Sequence, residues 1–371
     1  MNPSVKLISH ENDILSFTLF GVNVSFANAI RRILLSEIPI VVFRTSPYEQ
    51  NKSNIILNTT RLNNEILKQR LSCIPIHIKD YNEFEFKNYI LELNVENISD
   101  EIMYVTTQDF VIKDINTKKA IESNKIKEIF PPDHYTGYYI DFVRLRPKIS
   151  DEIPGEHIHL TCEFSVSNAK EDGMFNVVST CSYGFTVDEE AKQVVLEKKK
   201  QEWKDQGKTT EDIKFEAKNW ELLEGKRVTK RDSFDFVLQT IGIYTNNELL
   251  DKACDILMIK LSEIDTLLEK DELQIIKSQN TMANSYDIIL ENEDYTIGKV
   301  IEYLLYTKFY ETKILTYCGF KKMHPHDSDS IIRVAYKDAI DKSTIKGHIK
   351  ECLTGAAAIF AKMKKEFLKL K

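Results

Sequence analysis

Two His-x-His pairs are the first residues of this chain that could do chemistry. His157 and His159 fall on one face of an expected strand, with Glu156 and Glu163 close by; His324 and His326 precede Asp327 in an expected loop. Paired imidazoles suit a zinc-type site, but such a site needs further ligands, and neither pair has a third at useful spacing. Six cysteines (Cys73, Cys162, Cys181, Cys254, Cys318, Cys352) are scattered with no CxxC. That disfavours a zinc ribbon or an iron–sulfur cluster, and free thiols are expected. There is no P-loop, no G-x-S-x-G, and no aspartate triad of the kind that holds paired magnesium ions. The run from Lys198 to Lys200 could touch a nucleic acid, yet acidic neighbours surround it and a solvated face explains it better. No catalytic residue, metal ligand or cofactor is therefore assigned. A metal-dependent hydrolase built on the histidine pairs and a nucleic-acid binder built on Lys198–Lys200 stand as alternatives to a binding scaffold.

The elements that would carry any site repeat themselves. "FTLF" runs into "GVNVSFANAIRRILLSEIP" (Gly21–Pro39), and "YDIIL" runs into "ENEDYTIGKVIEYLLYTKF" (Glu291–Phe309). Each reads as a strand, a tight polar turn and a short amphipathic helix. Ser25 is the N-cap candidate of the first helix, Asp294 or Thr296 of the second. Ala27, Ile30, Ile33 and Leu34 form one stripe; Ile297, Val300, Ile301, Leu304 and Leu305 form the other. A second pairing follows, strand then long helix. Leu250, Cys254, Leu257, Leu261, Ile264 and Leu268 make a seam, as do Ile345, Ile349, Cys352, Ala356, Ile359 and Met363. Both seams alternate steps of four and three, the pattern of helix packed on helix, and Ala356 leaves room for close approach. Since neither copy has an obvious cover of its own, each is expected to cover the other about a pseudo-twofold axis.

The expected fold is therefore α+β, two similar modules forming an intramolecular pair with a β-rich domain inserted in the first. Residues 1–80 and 230–270 make the first module, 81–187 the insertion, 271–283 a linker and 284–371 the second module. Residues 188–229 form a charged helical excursion anchored by Trp203 and Trp220. With 57 acidic against 50 basic side chains, the net charge of −7 argues against a chain whose main task is gripping phosphate backbones. No apolar run approaches the ~20 residues that span a bilayer. No signal-peptide leader is visible, so a soluble intracellular protein is expected.

"NVSFANAIRRILLSEIPIVVF" followed by "RLNNEILKQRLSCIPI" closely resembles the assembly-platform subunit of cellular RNA polymerases: the bacterial α amino-terminal domain, the archaeal D subunit, the third-largest subunit of polymerase II. "GEHIHLTCEFSVSNAKEDGMFNVVSTCSY" and "SFDFVLQTIGIYTNNELLDKACDILMIKL" resemble later segments of the same family. The end of the chain, with "EDYTIGKVI" and then "YCGFKKMHPHDSDSIIRVAYKD", resembles the small partner, the archaeal L or eleventh polymerase II subunit. The two look fused here, as in the polymerases of large cytoplasmic DNA viruses.

The resemblance implies a non-catalytic subunit that nucleates assembly of the two largest catalytic subunits. Small zinc-binding subunits like the tenth and twelfth of polymerase II would lie nearby. DNA would be reached only through the complex, no membrane is involved, and a viral chain would work in the host cytoplasm and virion. It also implies that Asn28, Arg31, Arg32 and Arg70 face the large subunits, where guanidinium groups make bidentate bonds to carboxylates. Ala27, Ile30, Leu34, Leu257, Leu261, Ile297, Val300, Ile301, Leu304, Ile349, Ala356 and Ile359 would form the intramolecular dimer interface. Some relatives carry a cysteine cluster in the inserted domain. Only Cys162 and Cys181 stand in this region, so no zinc or iron–sulfur centre is expected there.

Overall fold

A computed structural model describes residues 1–81, 85–150 and 152–370; residues 82–84 and 151 of the expected insertion, and the final residue, lie outside the described set. At the start, Asn12 and Asp13 both take positive φ, the geometry of a two-residue hairpin turn, and join β1 (Ser4–Glu11) to β2 (Ile14–Phe20). Then come α1 (Val24–Ser36), β3 (Ile40–Phe43), β4 (Ser53–Asn58) and α2 (Asn64–Ser72). β5 (Tyr89–Glu96), β6 (Met103–Thr106), β7 (Val111–Asp114), α3 (Ser123–Ile129), β8 (Asp141–Leu145) and β9 (His157–Ser167) follow. β10 (Val178–Val187) leads through α4 (Glu189–Asp205) and α5 (Thr210–Leu222) to β11 (Thr229–Thr240) and α6 (Asn246–Glu269). Last are β12 (Ile275–Lys277), β13 (Ser285–Leu290), α7 (Tyr295–Leu305), β14 (Leu315–Lys321), β15 (Ser330–Tyr336) and α8 (Lys342–Phe367).

The chain divides into two compact units, one of residues 1–34, 180–239 and 246–371, the other of 35–179 and 240–245. In the first unit, one sheet has the order β1-β2-β11-β10 and a second has the order β12-β13-β15-β14. The two orders correspond strand for strand: β2 and β13 each precede a short helix, and β11 and β15 each precede a long one. Alternation decides which face is buried. Leu15, Phe17 and Leu19 point into the core opposite Leu238, Phe236 and Phe234, and the rings of Phe17 and Phe236 stack at 5.2 Å. On the other face Asp235 accepts hydrogen bonds from Thr18 and Thr186, at 2.7 and 2.9 Å. In the second sheet Arg333 holds its cross-strand partner Asp287 with two bonds of 2.7 Å.

The two long helices run antiparallel, as their ion pairs show. Lys350 meets Glu269 at 2.5 Å and Lys364 meets Asp255 at 2.6 Å, so the start of α8 lies by the end of α6. Every residue of both predicted seams is buried. Further along, α8 sets Phe360 against Phe26 of α1 (5.1 Å) and Phe367 against Phe17 of β2 (5.8 Å). α8 thus closes the core of the first sheet. That burial removes large aromatic surfaces from water, the dominant favourable contribution to folding.

The second unit is built on the sheet β3-β9-β5-β7, with β4 also paired to β9, and a separate β6-β8 ribbon. Its core gathers Phe43, Leu67, Leu71, Phe110, Phe130 and Phe142. Residues 35–80, grouped by sequence with the first module, belong here because β3 and β4 pair with β9. Two local expectations also change. Asn23, not Ser25, caps α1, its Oδ1 accepting from the Ser25 N–H at 2.9 Å. The expected linker contributes a strand, β12, paired with β13. The charged excursion is a two-helix hairpin between neighbouring strands β10 and β11; Leu196 is buried, and Lys208 lies 5.9 Å over the half-buried Trp203 ring.

Replacing Leu257 by alanine should lower unfolding free energy by about 2–5 kcal/mol, because the packed seam cannot collapse into the hole. Ile259→Ala, on the exposed side of the same helix, should stay within about 0.5 kcal/mol. Chemical denaturation of both variants checks the difference, and equal losses would contradict the seam.

Candidate protein-interaction surface

Gly21 sets the entry to α1. Its φ of +76° suits glycine, and a Cβ there would sit 2.2 Å from the Asn2 carbonyl oxygen. The turn lets Asn23 cap the helix, and α1 then presents its polar residues in two directions. Arg31 donates through Nε to Asn28 Oδ1 (3.0 Å), a pair one turn apart on the half-exposed side. Arg32 turns to the start of α7, donating through Nε to Thr296 Oγ1 (2.8 Å) and through Nη2 to Asp294 Oδ2 (2.5 Å).

Asp294 is the N-cap of α7, accepting the Thr296 N–H at 2.9 Å. Burial pushes its pKa up, but the Thr296 amide and hydroxyl and the Arg32 guanidinium outweigh burial and hold it below the usual carboxylate range. One carboxylate therefore starts α7 and grips α1. The charge suits the helix N-terminus as well.

Beside this tie lies a groove of about 400 Å³ lined from α1, β10 and α7. Asn23, Val24, Ser25 and Asn28 come from the α1 end, Tyr183 from β10, and Lys299, Glu302, Tyr303 and Tyr306 from α7 and the turn after it. Lys299 and Glu302 neutralise each other at 2.6 Å, and Glu302 also accepts the Phe320 N–H at 3.0 Å. Burial pushes the Tyr183 phenol up despite the opposing charge of Arg31, so it stays a neutral donor. Ser25 Oγ is buried with no hydrogen-bond partner among the described residues. Tyrosines, amides, a spare hydroxyl and an exposed Val24 and Tyr306 fit a protein surface. They bring no nucleophile to a base.

The other residues singled out by sequence are dispersed. All twelve residues expected at the dimer interface are buried. Arg70 lies in the second unit, exposed at the end of α2, and donates to the Asp141 carbonyl at 2.8 Å. His157 bonds Asn94 (2.7 Å) and His159 bonds Glu92 (3.3 Å), whereas Glu156 is held by Arg146 and Glu163 by Lys52. His324 and His326 stack at 5.0 Å in the exposed β14–β15 turn. Among the described residues no group of three or more His, Cys, Asp or Glu is placed to hold a metal ion. Lys199 and Lys200 are paired with Glu202 and Glu197, each at 2.9 Å, which makes α4 a charge-balanced solvated face. No described helix is long and apolar enough to cross a membrane.

Comparison with known proteins matches the RNA polymerase Rpb3/Rpb11 dimerisation domain to residues 16–261. The chain is 29% identical over 196 residues to the DNA-directed RNA polymerases I and III subunit rpac1 of Dictyostelium discoideum, covering 49% of this chain and 52% of that one. It is 27% identical over 203 residues to the mouse subunit RPAC1, covering 49% and 54%. With the RNA polymerase subunit Rpo3 of Pyrococcus furiosus the identity is 29% over 119 residues, covering 30% and 43%. The chain spans about half the length of the curated relatives it matches.

Asp294→Asn should cost about 1–3 kcal/mol at neutral pH, weakening a cap and a charge-assisted pair together. The folded pKa of Asp294 lies below its unfolded value, so its contribution is present above the unfolded pKa and fades as pH falls through the folded one. The gap between parent and variant should therefore narrow below about pH 4 in denaturation series. A gap unchanged with pH would contradict the assignment.

Proposed function

The chain belongs to the family of RNA polymerase Rpb3/Rpb11 dimerisation domains, and from that premise we propose that it is a non-catalytic structural subunit of a DNA-directed RNA polymerase, with both halves of the assembly platform in one polypeptide. The observation that carries this reading is the pair of sheets with corresponding strand order whose long helices run antiparallel. Two such modules form a pseudo-twofold pair like that of two separate subunits. Joining them makes the pairing intramolecular, at an effective concentration on the order of mM, and fixes the ratio at one to one.

The pair serves as the base on which the two largest subunits assemble, and polymerisation chemistry resides on those chains. Asn28, Arg31 and the groove beside them form the face toward a large subunit, and Arg70 belongs to a second contact. Arg32 works inside the platform, tied to Asp294, so its charge is not offered outward. Small zinc-bearing subunits complete the neighbourhood, and DNA is reached only through the complex. The fusion of two halves supports a place in the polymerase of a large cytoplasmic DNA virus, working in the host cytoplasm and packaged in the virion.

Affinity purification of the tagged chain with mass spectrometry tests the reading. Two very large polymerase subunits should copurify, and the isolated chain should incorporate no nucleotides. Arg31→Glu should cut their recovery about tenfold or more while the thermal transition stays put, as for a charged anchor at a desolvated interface. Arg32→Glu should instead destabilise the chain itself. Unchanged recovery with Arg31→Glu would reject the interface assignment, and absence of polymerase subunits would reject the function.

A further inference from the structure

A cluster of arginines lies in the second unit. A cleft of about 450 Å³ opens between α2 and the β6-β8 ribbon. Arg61 comes from the loop before α2, Arg70 from its last turn, Arg144 from β8 and Arg146 from just beyond it. Two carboxylates share the lining. Glu156 is consumed, gripping Arg146 at 2.5 Å and accepting its backbone N–H at 2.7 Å. Asp141 holds Arg70 through its backbone carbonyl. Arg61 and Arg144 are exposed and have no partner among the described residues. In a chain of net charge −7, two unpaired guanidinium groups on one cleft are an uncompensated recognition feature.

The same cleft has an apolar edge. Tyr104 stands directly across the ribbon from Arg144 and is 58% exposed; Ile102 beside it is 53% exposed. Ile98, on the loop leading to them, is 80% exposed. Arginine with exposed aromatic and aliphatic side chains is the composition of a protein-binding hot spot. A phosphate backbone has nothing apolar to set against the exposed isoleucines, whereas a polypeptide can offer both a carboxylate and an apolar side chain. Carboxylates on a flexible segment can take the planar, bidentate bonds that guanidinium groups offer while an apolar neighbour covers the rim.

We propose that this cleft docks an acidic segment of a partner protein, with two carboxylates on Arg61 and Arg144 and an apolar side chain against Tyr104 and Ile102. The site lies wholly in the second unit; its two contacting arginines, Arg61 and Arg144, have no part in the assembly reading, which draws only on Arg70 of this cleft. It therefore stands or falls independently of large-subunit recovery with Arg31→Glu.

The test is fluorescence anisotropy on the intact chain, with a fluorescein-labelled dodecapeptide alternating glutamate and leucine as the probe. Saturable binding is expected. It should weaken about tenfold or more in Arg61→Glu/Arg144→Glu, and similarly when glutamines replace the probe's glutamates or salt rises toward about 0.5 M. The milder pair Arg61→Gln/Arg144→Gln, with an unchanged thermal transition, should give an intermediate loss and so separates charge from misfolding. Inorganic phosphate at equal ionic strength should compete no better than chloride. No saturable binding, or equal binding by parent and reversed variant, would overturn the proposal. So would tight binding of a single-stranded RNA probe that the same reversal abolishes while the peptide is ignored.

Discussion

The first unit depends on one packing seam, α6 against α8. Each helix carries an apolar stripe that its own sheet does not fully cover, and each stripe is covered when the helices run antiparallel. The placement of α8 against α6, Phe26 and Phe17 ties residues 342–367 to the first strands and helix of the same unit. Ion pairs at both ends of the seam set its direction. Being largely exposed, they select the register more than they add stability. The Arg32–Asp294 pair acts differently, since it joins α1 to the N-terminus of α7 beside the buried Thr296. A core shared in this way lets α1, α6, α7 and α8 be positioned by one another.

From that packing the surfaces follow. The groove between Asn23–Asn28 and Lys299–Tyr306 is lined by α1 and α7 together, so its surface combines residues far apart in the sequence. Its Lys299–Glu302 pair leaves no net charge, and its tyrosines offer hydrogen bonds at low entropic cost. This chemistry is what the proposed interaction surface would use, and the relatives the chain matches are subunits of DNA-directed RNA polymerases. The arginine cleft is the contrasting surface, rich in unspent charge and edged with isoleucine.

Much of this was legible in sequence because periodicity survives without coordinates. The alternating steps of four and three from Leu250 to Leu268 and from Ile345 to Met363 mark residues that are all buried. The strand-turn-helix repeat likewise corresponds to β2-α1 and β13-α7. Features set by distant partners were harder to see. Residues 35–80 read as a continuation of the first module because nothing local announces that β3 and β4 pair with β9. Ser25 is the cap candidate of the sequence, but asparagine caps equally well and the turn at Gly21 puts Asn23 at the helix start. Arg32 looked like a twin of Arg31, but one step along a helix turns a side chain by about 100°. That rotation sends one guanidinium to Asn28 and the other to Asp294. Tyr183 escaped notice because only the sheet carries it to the groove.

The clasp between the two ends of the chain is most directly measured by zero-length carbodiimide cross-linking of the intact protein, with peptide mapping of the monomeric band. Antiparallel packing within one chain predicts that Lys350 is joined to Glu269 and Lys364 to Asp255 or Asp251. Links found only in a dimeric band, or Lys350 joined to Asp255 and Lys364 to Glu269, would contradict it.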